Sequence, residues 1–395
     1  MESPLIVLAS GENYEGFLAI DSLLNSTSSG GVRIAPDLML EEVCDLAREM
    51  TMKFSLFRLP RGGAKAGLRI AREVGPRERR LALESFGKKI GPIVRAGLYN
   101  PGMDMNCGPA DLQAIYAGAG IPIGRPTDTS LFTAIGASNA LLGCVEALGW
   151  QIPATVAIDG FGSVGGHLAR ILPPSHFRIT AISTIEGAIS NPAGFSHEQL
   201  HQRQAEFGDG IVRHLEGTSI PNAELLTISA DFLVPSARTR TITETVAQGI
   251  RARAVVPVAN APYRDGAALA LHARGVICLP GYLCNAGGVF GSSMADSGIP
   301  VGDVERFFES SYRRMIRTLV ERCDKRRLSP VVVVDDLATR EAEGRTERLQ
   351  EDSFARKVYK RIAWRFPRTV KKREMWKRCH EALVALEADV SRVGE

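Results

Sequence analysis

The sequence lacks clustered cysteines, a strong charge of either sign, an internal repeat and any low-complexity block. Its seven cysteines stand at 44, 107, 144, 278, 284, 323 and 379, with no Cys-x-x-Cys pair and no Cys/His cluster. That argues against a structural zinc site and a disulfide framework, so no metal is expected and the thiols read as those of a reduced, cytoplasmic protein. The net charge of +4, from 48 basic and 44 acidic residues, is too mild to point to nucleic acid. The run from Met1 to Ala9 lacks the basic segment of a signal peptide. No stretch of about 18 apolar residues stands out, so no membrane span is expected.

What is present is ordinary globular material, 45% hydrophobic and 23% charged. At 395 residues the chain exceeds one ordinary core, and two domains are expected. Residues 1–70 read as short strands around one helix over 38–53, which Asp37 is placed to cap. Further helices are expected over 76–93 and after Pro109. The Pro- and Gly-bearing stretch from Gly118 to Pro126 reads as a boundary. From 130 an apolar helix (133–148), an apolar strand (154–159), a Gly-rich turn, a helix and a second strand (178–183) follow in order. Short strands also fit 231–234, 254–256 and 276–278. Such alternation is the mark of a parallel sheet with crossover helices. The expected layout is an α/β protein with a first domain over 1–128, a second over 129–300, and helices over 301–395 that pack back.

The turn after the first of those strands reads Asp159-Gly160-Phe161-Gly162-Ser163-Val164-Gly165. Glycines at this spacing let backbone approach a pyrophosphate at a helix N-terminus, as in dinucleotide sites. The following strand ends on Thr184, with Glu186 two residues on, where such sites usually carry an acid for the ribose hydroxyls. Without that carboxylate NADP is admitted, yet no arginine cluster follows to hold its phosphate. NAD and NADP both stay open.

A second constellation lies upstream. Lys53 ends Met50-Thr51-Met52-Lys53, and Lys65 follows twelve residues later between glycines in Arg61-Gly62-Gly63-Ala64-Lys65-Ala66-Gly67. Glycines bring backbone and ligand close to a lysine, and burial lowers its pKa toward the range of proton exchange. Asp104 stands alone in the Pro/Gly-bearing loop 100–106.

These motifs, in this order, resemble the glutamate/leucine/phenylalanine/valine dehydrogenase family. Gly30-Gly31-Val32-Arg33 resembles its Gly-Gly-x-Arg, Met50 to Lys53 its Met-Thr-x-Lys, and Gly62 to Gly67 its Gly-Gly-x-Lys-Gly-Gly, with Ala66 for one glycine. Loop 101–106 resembles its Pro-Ala-x-Asp segment, and Thr133 to Gly136 the start of the helix into its cofactor domain. Gly160 to Gly165, residues 231–237, Ala259-Asn260 and Asn285 to Val289 follow. The resemblance implies an N-terminal α/β substrate and oligomerisation domain and a Rossmann-type NAD(P)-binding domain. It implies an enzyme, a homo-oligomer, that interconverts an L-amino acid with its 2-oxo acid and ammonia. Carried over by position, Lys53 holds the α-carboxylate, with Gly31, Ser29 and Ser292 also at the substrate. Lys65 activates water and Asp104 exchanges protons with the amino nitrogen. Thr133, Gly160 to Gly165, Thr184, Asn260 and Asn285 attend the cofactor.

Departures from the pattern matter. Ser29 stands where the glutamate enzymes carry a lysine for the substrate's side-chain carboxylate, and a serine supplies no counter-charge, which disfavours glutamate. Ser292 matches the glutamate enzymes instead. Pro257-Val258 replaces Glu-Gly, and Gly281 replaces an aspartate. Two other readings keep the fold: a dehydrogenase for an amino or imino intermediate of a specialised pathway, and a non-catalytic binding relative. Finally, eleven Lys or Arg face one Glu between Arg356 and Arg378, interleaved with Trp364, Phe366 and Trp376. The simpler expectation there is a helix with packed aromatics and solvated charges. A short amphipathic helix is expected over 382–393.

Overall fold

The computed structural model describes residues 4–71, 73–351 and 368–394, with the side chains of 345–351 and 368–371 left out. Two compact units emerge: Met1–Asp128 with Ala338–Ile362, and Thr129–Leu337 with Ala363–Glu395.

The first unit is built on a five-stranded mixed sheet. Its strands are β1 (Leu5–Leu8), β2 (Glu15–Ile20), β3 (Ser28–Ile34), β4 (Gly62–Arg69) and β5 (Asn100–Met103), in the order β1-β2-β4-β3-β5. β3 runs parallel to β4 and β5, while β2 is antiparallel to β4. Helix α1 (Leu40–Leu56) covers one face; α2 (Pro76–Arg95) and α3 (Pro109–Gly118) cover the other. Alternation sends Ala64, Ala66 and Leu68 into the α2/α3 core with Phe86, Ile90 and Ile115. Gly63, Lys65 and Gly67 therefore face α1. A Cβ on Gly63 would lie 2.1 Å from the Thr51 nitrogen, so glycine is what lets α1 press onto β4. α1 begins after Met39 with no side-chain cap, so Asp37 does not play the expected capping part.

The second unit holds a seven-stranded sheet of β6 (Ala154–Asp159), β7 (Phe177–Thr184), β8 (Gly187–Ser190), β9 (Thr218–Ile220), β10 (Phe232–Pro235), β11 (Ala254–Val255) and β12 (Ile277–Cys278). The order is β12-β11-β10-β6-β7-β8-β9, parallel from β12 to β7 and antiparallel beyond. This is the Rossmann arrangement with its topological switch between β6 and β10. Helix α4 (Ser130–Leu148) leads into it along the chain. By length and composition alone α4 is apolar enough to span a membrane, which corrects the expectation that no such stretch exists; but 72% of that window is buried inside the unit. Its apolarity is that of a core helix: Gly136 packs against Gly287, and Gly143 against Ile316.

The helix over 382–393 is not separate. It belongs to one helix, Arg368–Ser391, whose Trp376 and His380 rings sit 6.0 and 5.1 Å from Phe307. Residues 356–367 of the basic stretch, with Trp364 and Phe366, lie outside the described residues.

Candidate active site

The α1-facing side of the first sheet collects the chemistry. The β3/β4 register pairs Ser29 with Gly63 and Arg33 with Gly67, so Ser29, Gly31 and Arg33 share the face of Lys65. Asp104 follows directly on β5, whose Met103 pairs with Val32. Lys65 Nζ lies 3.0 Å from Asp104 Oδ2, and Arg33 Nε donates to the same oxygen at 2.7 Å. The other arm of Arg33 pairs with Glu42 at 2.6 Å. A Cβ on Gly31 would stand 2.7 Å from the Asp104 Cβ, so this glycine clears the space in which the carboxylate sits. Lys53, in the last turn of α1, is buried on the same side.

Burial is the dominant influence on both lysines. It lowers Lys65, 2% exposed, against the opposing pull of Asp104, with Arg33 lowering it further. It lowers Lys53 to about 8, with Glu49 opposing and Lys65 adding to the fall. Burial pushes Asp104 up, but Arg33 and Lys65 together outweigh it and hold the carboxyl below the usual range. A shared ion pair between buried cations and one carboxylate keeps each group's charge sensitive to the others. The sequence reading gives Arg33 no role. Its signal is the alternation itself: whatever puts Ser29 and Gly31 on this face puts Arg33 there too.

The Gly-rich turn of the second unit meets the demands of a dinucleotide. Gly160 has φ +105°, and a Cβ there would lie 2.5 Å from the Ala237 nitrogen. Gly165 leaves no room for a Cβ beside the Gly160 carbonyl, at 2.3 Å. Gly162, by contrast, faces open space at the uncapped start of α5 (Ser163–Ile171). Turn, close packing and open approach are the three parts glycines play at a pyrophosphate site, so these residues fit the cofactor. Ser163 is exposed and Val164 half-buried beside them, while the Phe161 ring is buried, which leaves that residue only its backbone to offer. At the strand end the Thr184 hydroxyl donates to the Asp209 carbonyl at 2.7 Å, and Glu186 pairs with Arg213 at 3.1 Å. Asn285 donates to Asn260 at 2.7 Å and to the Val258 carbonyl at 3.0 Å. The hydroxyls of Thr133 and Ser292 donate within their own helices, to Thr129 and Gly288.

A Rossmann unit joined in one chain to a sheet carrying a buried lysine–carboxylate pair defines an α/β dehydrogenase. Comparison with known proteins narrows this. The model of the Glu/Leu/Phe/Val dehydrogenase dimerisation domain matches residues 6–119, and that of the Glutamate/Leucine/Phenylalanine/Valine dehydrogenases matches residues 124–331. Glutamate dehydrogenase of Thermotoga maritima is 33% identical over 299 residues, 70% of this chain and 71% of that protein. NAD-specific glutamate dehydrogenase A of Halobacterium salinarum is 31% identical over 295 residues, 70% of this chain and 67% of its own. Among solved structures, the hetero-hexameric glutamate dehydrogenase of Thermus thermophilus in its Leu-bound form has a TM-score of 0.74 at 21% identity, covering 88% of this chain and 89% of that one. L-tryptophan dehydrogenase of Nostoc punctiforme scores 0.58 at 19% identity, covering 88% and 97%. The chain belongs to the Glu/Leu/Phe/Val dehydrogenase family, and it is an amino-acid dehydrogenase.

Proposed function

We propose that the protein catalyses the reversible oxidative deamination of an L-amino acid to its 2-oxo acid and ammonia, with NAD or NADP. The observation that carries this reading is the Lys65–Asp104 pair at 3.0 Å on a face that also buries Lys53. The turn from Gly160 to Gly165 would hold the dinucleotide, whose nicotinamide would supply or take up the hydride when bound. Lys53, as its ammonium, binds the α-carboxylate. Asp104 enters as the anion and takes the substrate's ammonium group as a partner in exchange for Lys65. Its proton affinity rises as Lys65 loses charge, so proton release from one group assists uptake by the other. Neutral Lys65 then draws a proton from the water that attacks the imino carbon, and protonated Asp104 returns its proton to the nitrogen as the C–N bond breaks, the carbonyl forms and ammonia leaves. Arg33 keeps Asp104 aimed throughout. A panel of L-amino acids assayed with both cofactors tests the reading; a silent panel together with no cofactor binding would sink it. The same reading carries a homo-oligomer, because edge strand β1 exposes Leu5 and Leu8, an apolar edge that a second copy can cover. A cytoplasmic setting accords with seven unpaired cysteines.

Two expected results follow from the geometry. The mechanism needs Lys53 charged and Lys65 neutral, so kcat/KM for the amino acid should fall above about pH 8, where Lys53 loses its proton. Lys53→Arg, with a cation that stays protonated, should move that limb upward. An unmoved limb in the pH profile assigns it to another group. In the second unit, Gly162→Val adds a side chain to open space, so the thermal midpoint should hold while the calorimetric Kd for the cofactor weakens by about tenfold or more. Unchanged cofactor binding would take the turn out of the site.

A further inference from the structure

The last two strands of the second sheet are both entered through arginines. β11 follows Arg251-Ala252-Arg253, and β12 follows Arg274-Gly275-Val276. β10, β11 and β12 run parallel to β6, so these arginines lie at the opposite end of the sheet from the glycine turn, which follows the last residue of β6. A cavity of about 470 Å³ opens there, and its wall carries all three arginines together with Trp150 and Asp324. None of the residues assigned above to the reaction or to the cofactor lines it.

Each guanidinium is fixed by bonds that use only part of it. Arg251 Nε donates to the Thr227 carbonyl at 2.7 Å, and its two Nη groups donate to nothing among the described residues. Arg274 closes the end of the short helix Glu244–Gly249 through its Nη groups, which donate to the Ala247 and Ile250 carbonyls and leave Nε over. Arg253 Nη1 donates to Asp231 at 2.9 Å. Its guanidinium carbon lies 3.8 Å from the centre of the Trp150 ring, whose other neighbour is Phe232 at 5.0 Å. The Arg253 side chain is 52% exposed, which leaves its face away from Trp150 to the cavity. The N–H of Ala252, between two of the arginines, also has no partner among the described residues. Asp231 is occupied by Arg253 and by the Thr155 amide and hydroxyl, so Asp324 is the acid that faces the cavity and the wall stays net positive. We infer that this cavity is a second ligand site, and that it takes a phosphate monoester bearing a flat ring. Three sets of N–H donors, from Arg251, Arg274 and Ala252, border it. A phosphate monoester offers three terminal oxygens to them, where a planar carboxylate has two. The ring lies on the guanidinium face that Trp150 backs, as arginine stacks on flat rings. The space is far larger than an inorganic phosphate fills, and Leu148, Ile250 and Val276 give the ring an apolar wall. The inference stands apart from the deamination reading, since no residue of that reaction takes part.

Isothermal calorimetry on the full chain tests it, with phenyl phosphate as the probe and inorganic phosphate as the comparison that lacks the ring. Wild-type protein should bind phenyl phosphate saturably, about three- to tenfold more tightly than inorganic phosphate. Arg251→Leu should weaken phenyl phosphate by about 10- to 100-fold. Arg253→Leu should erase the difference between the two probes. Asp324→Asn removes a like charge and no side-chain bond among the described residues, so it should tighten both probes by about twofold or more. Gly162→Val should bind phenyl phosphate as the wild type does, because the glycine turn lies at the other end of the sheet. Absence of saturable binding, inorganic phosphate as tight as phenyl phosphate, or loss of binding in Gly162→Val overturns the inference. So does an Arg251→Leu affinity within twofold of wild type. Where Arg251→Leu does not fold, Asp324→Asn decides, and its failure to tighten the probe overturns the site.

Discussion

Lys65→Ala should lower kcat by about 100- to 10,000-fold, the range a positioned proton acceptor contributes. Cofactor affinity should stay as it is, because the glycine turn lies in the other unit of the chain. The fold should also survive. Asp104 keeps its 2.7 Å bond to Arg33, and Arg33 keeps Glu42, so no carboxylate is left alone by the change. Removing a cation that burial already disfavours costs little, and Lys65→Met, which refills the space, should match wild-type thermal stability closely. The measurements are kcat over a pH series, cofactor titration and a thermal melt on the same preparations. A rate within threefold of wild type would remove Lys65 from the chemistry. A collapsed melt in both variants would make it a structural lysine instead.

Much of this site could be read from residue order, because each of its parts rides on a local motif. Lys65 is marked by glycines on both sides, and those glycines exist because α1 and the segment after β2 approach β4 too closely for a Cβ: at Gly63 it would lie 2.1 Å from the Thr51 nitrogen and at Gly62 2.0 Å from the Ser22 carbonyl. The parallel strands were legible from local sequence too: β6 is a mostly apolar run, and β6 and β7 are buried along nearly their whole length. What escaped is what depends on distant partners. Arg33 takes its meaning from Asp104, 71 residues away. Alternation puts Arg33 on the right face, but its partner is set by the β3/β5 register, which no local pattern announces. β8 and β9, four and three residues long, are too short for alternation to show and form only by pairing, β8 along β7 and β9 along β8. The capping part expected of Asp37 fails because tertiary packing of α1 on β4 sets the helix start, not a local side-chain bond.

Asp104→Asn should be nearly as damaging to the rate, about 100- to 10,000-fold in kcat, but with a signature of its own. The carboxylate is the group that raises the Lys65 pKa against burial. Without it Lys65 loses its proton more easily, and the acid limb of the pH profile should move to lower pH. Stability should respond with a defined sign. Breaking a buried pair from one side costs about 3–5 kcal/mol when the remaining charge cannot escape. Lys65 can escape by deprotonation, and Arg33 retains Glu42 at 2.6 Å, so the loss should lie at the low end of that range or below it. The folded variant then holds Lys65 neutral at pH values where the unfolded chain still carries the proton. With more protons bound in the unfolded state, stability rises with pH across that window. Denaturant melts at several pH values should therefore show the deficit of Asp104→Asn shrinking as pH is raised toward the ordinary lysine pKa. A deficit that grows with pH, or an acid limb that moves upward, would mean that Asp104 does not hold the charge on Lys65, and the coupled proton exchange proposed for this pair would fall with it.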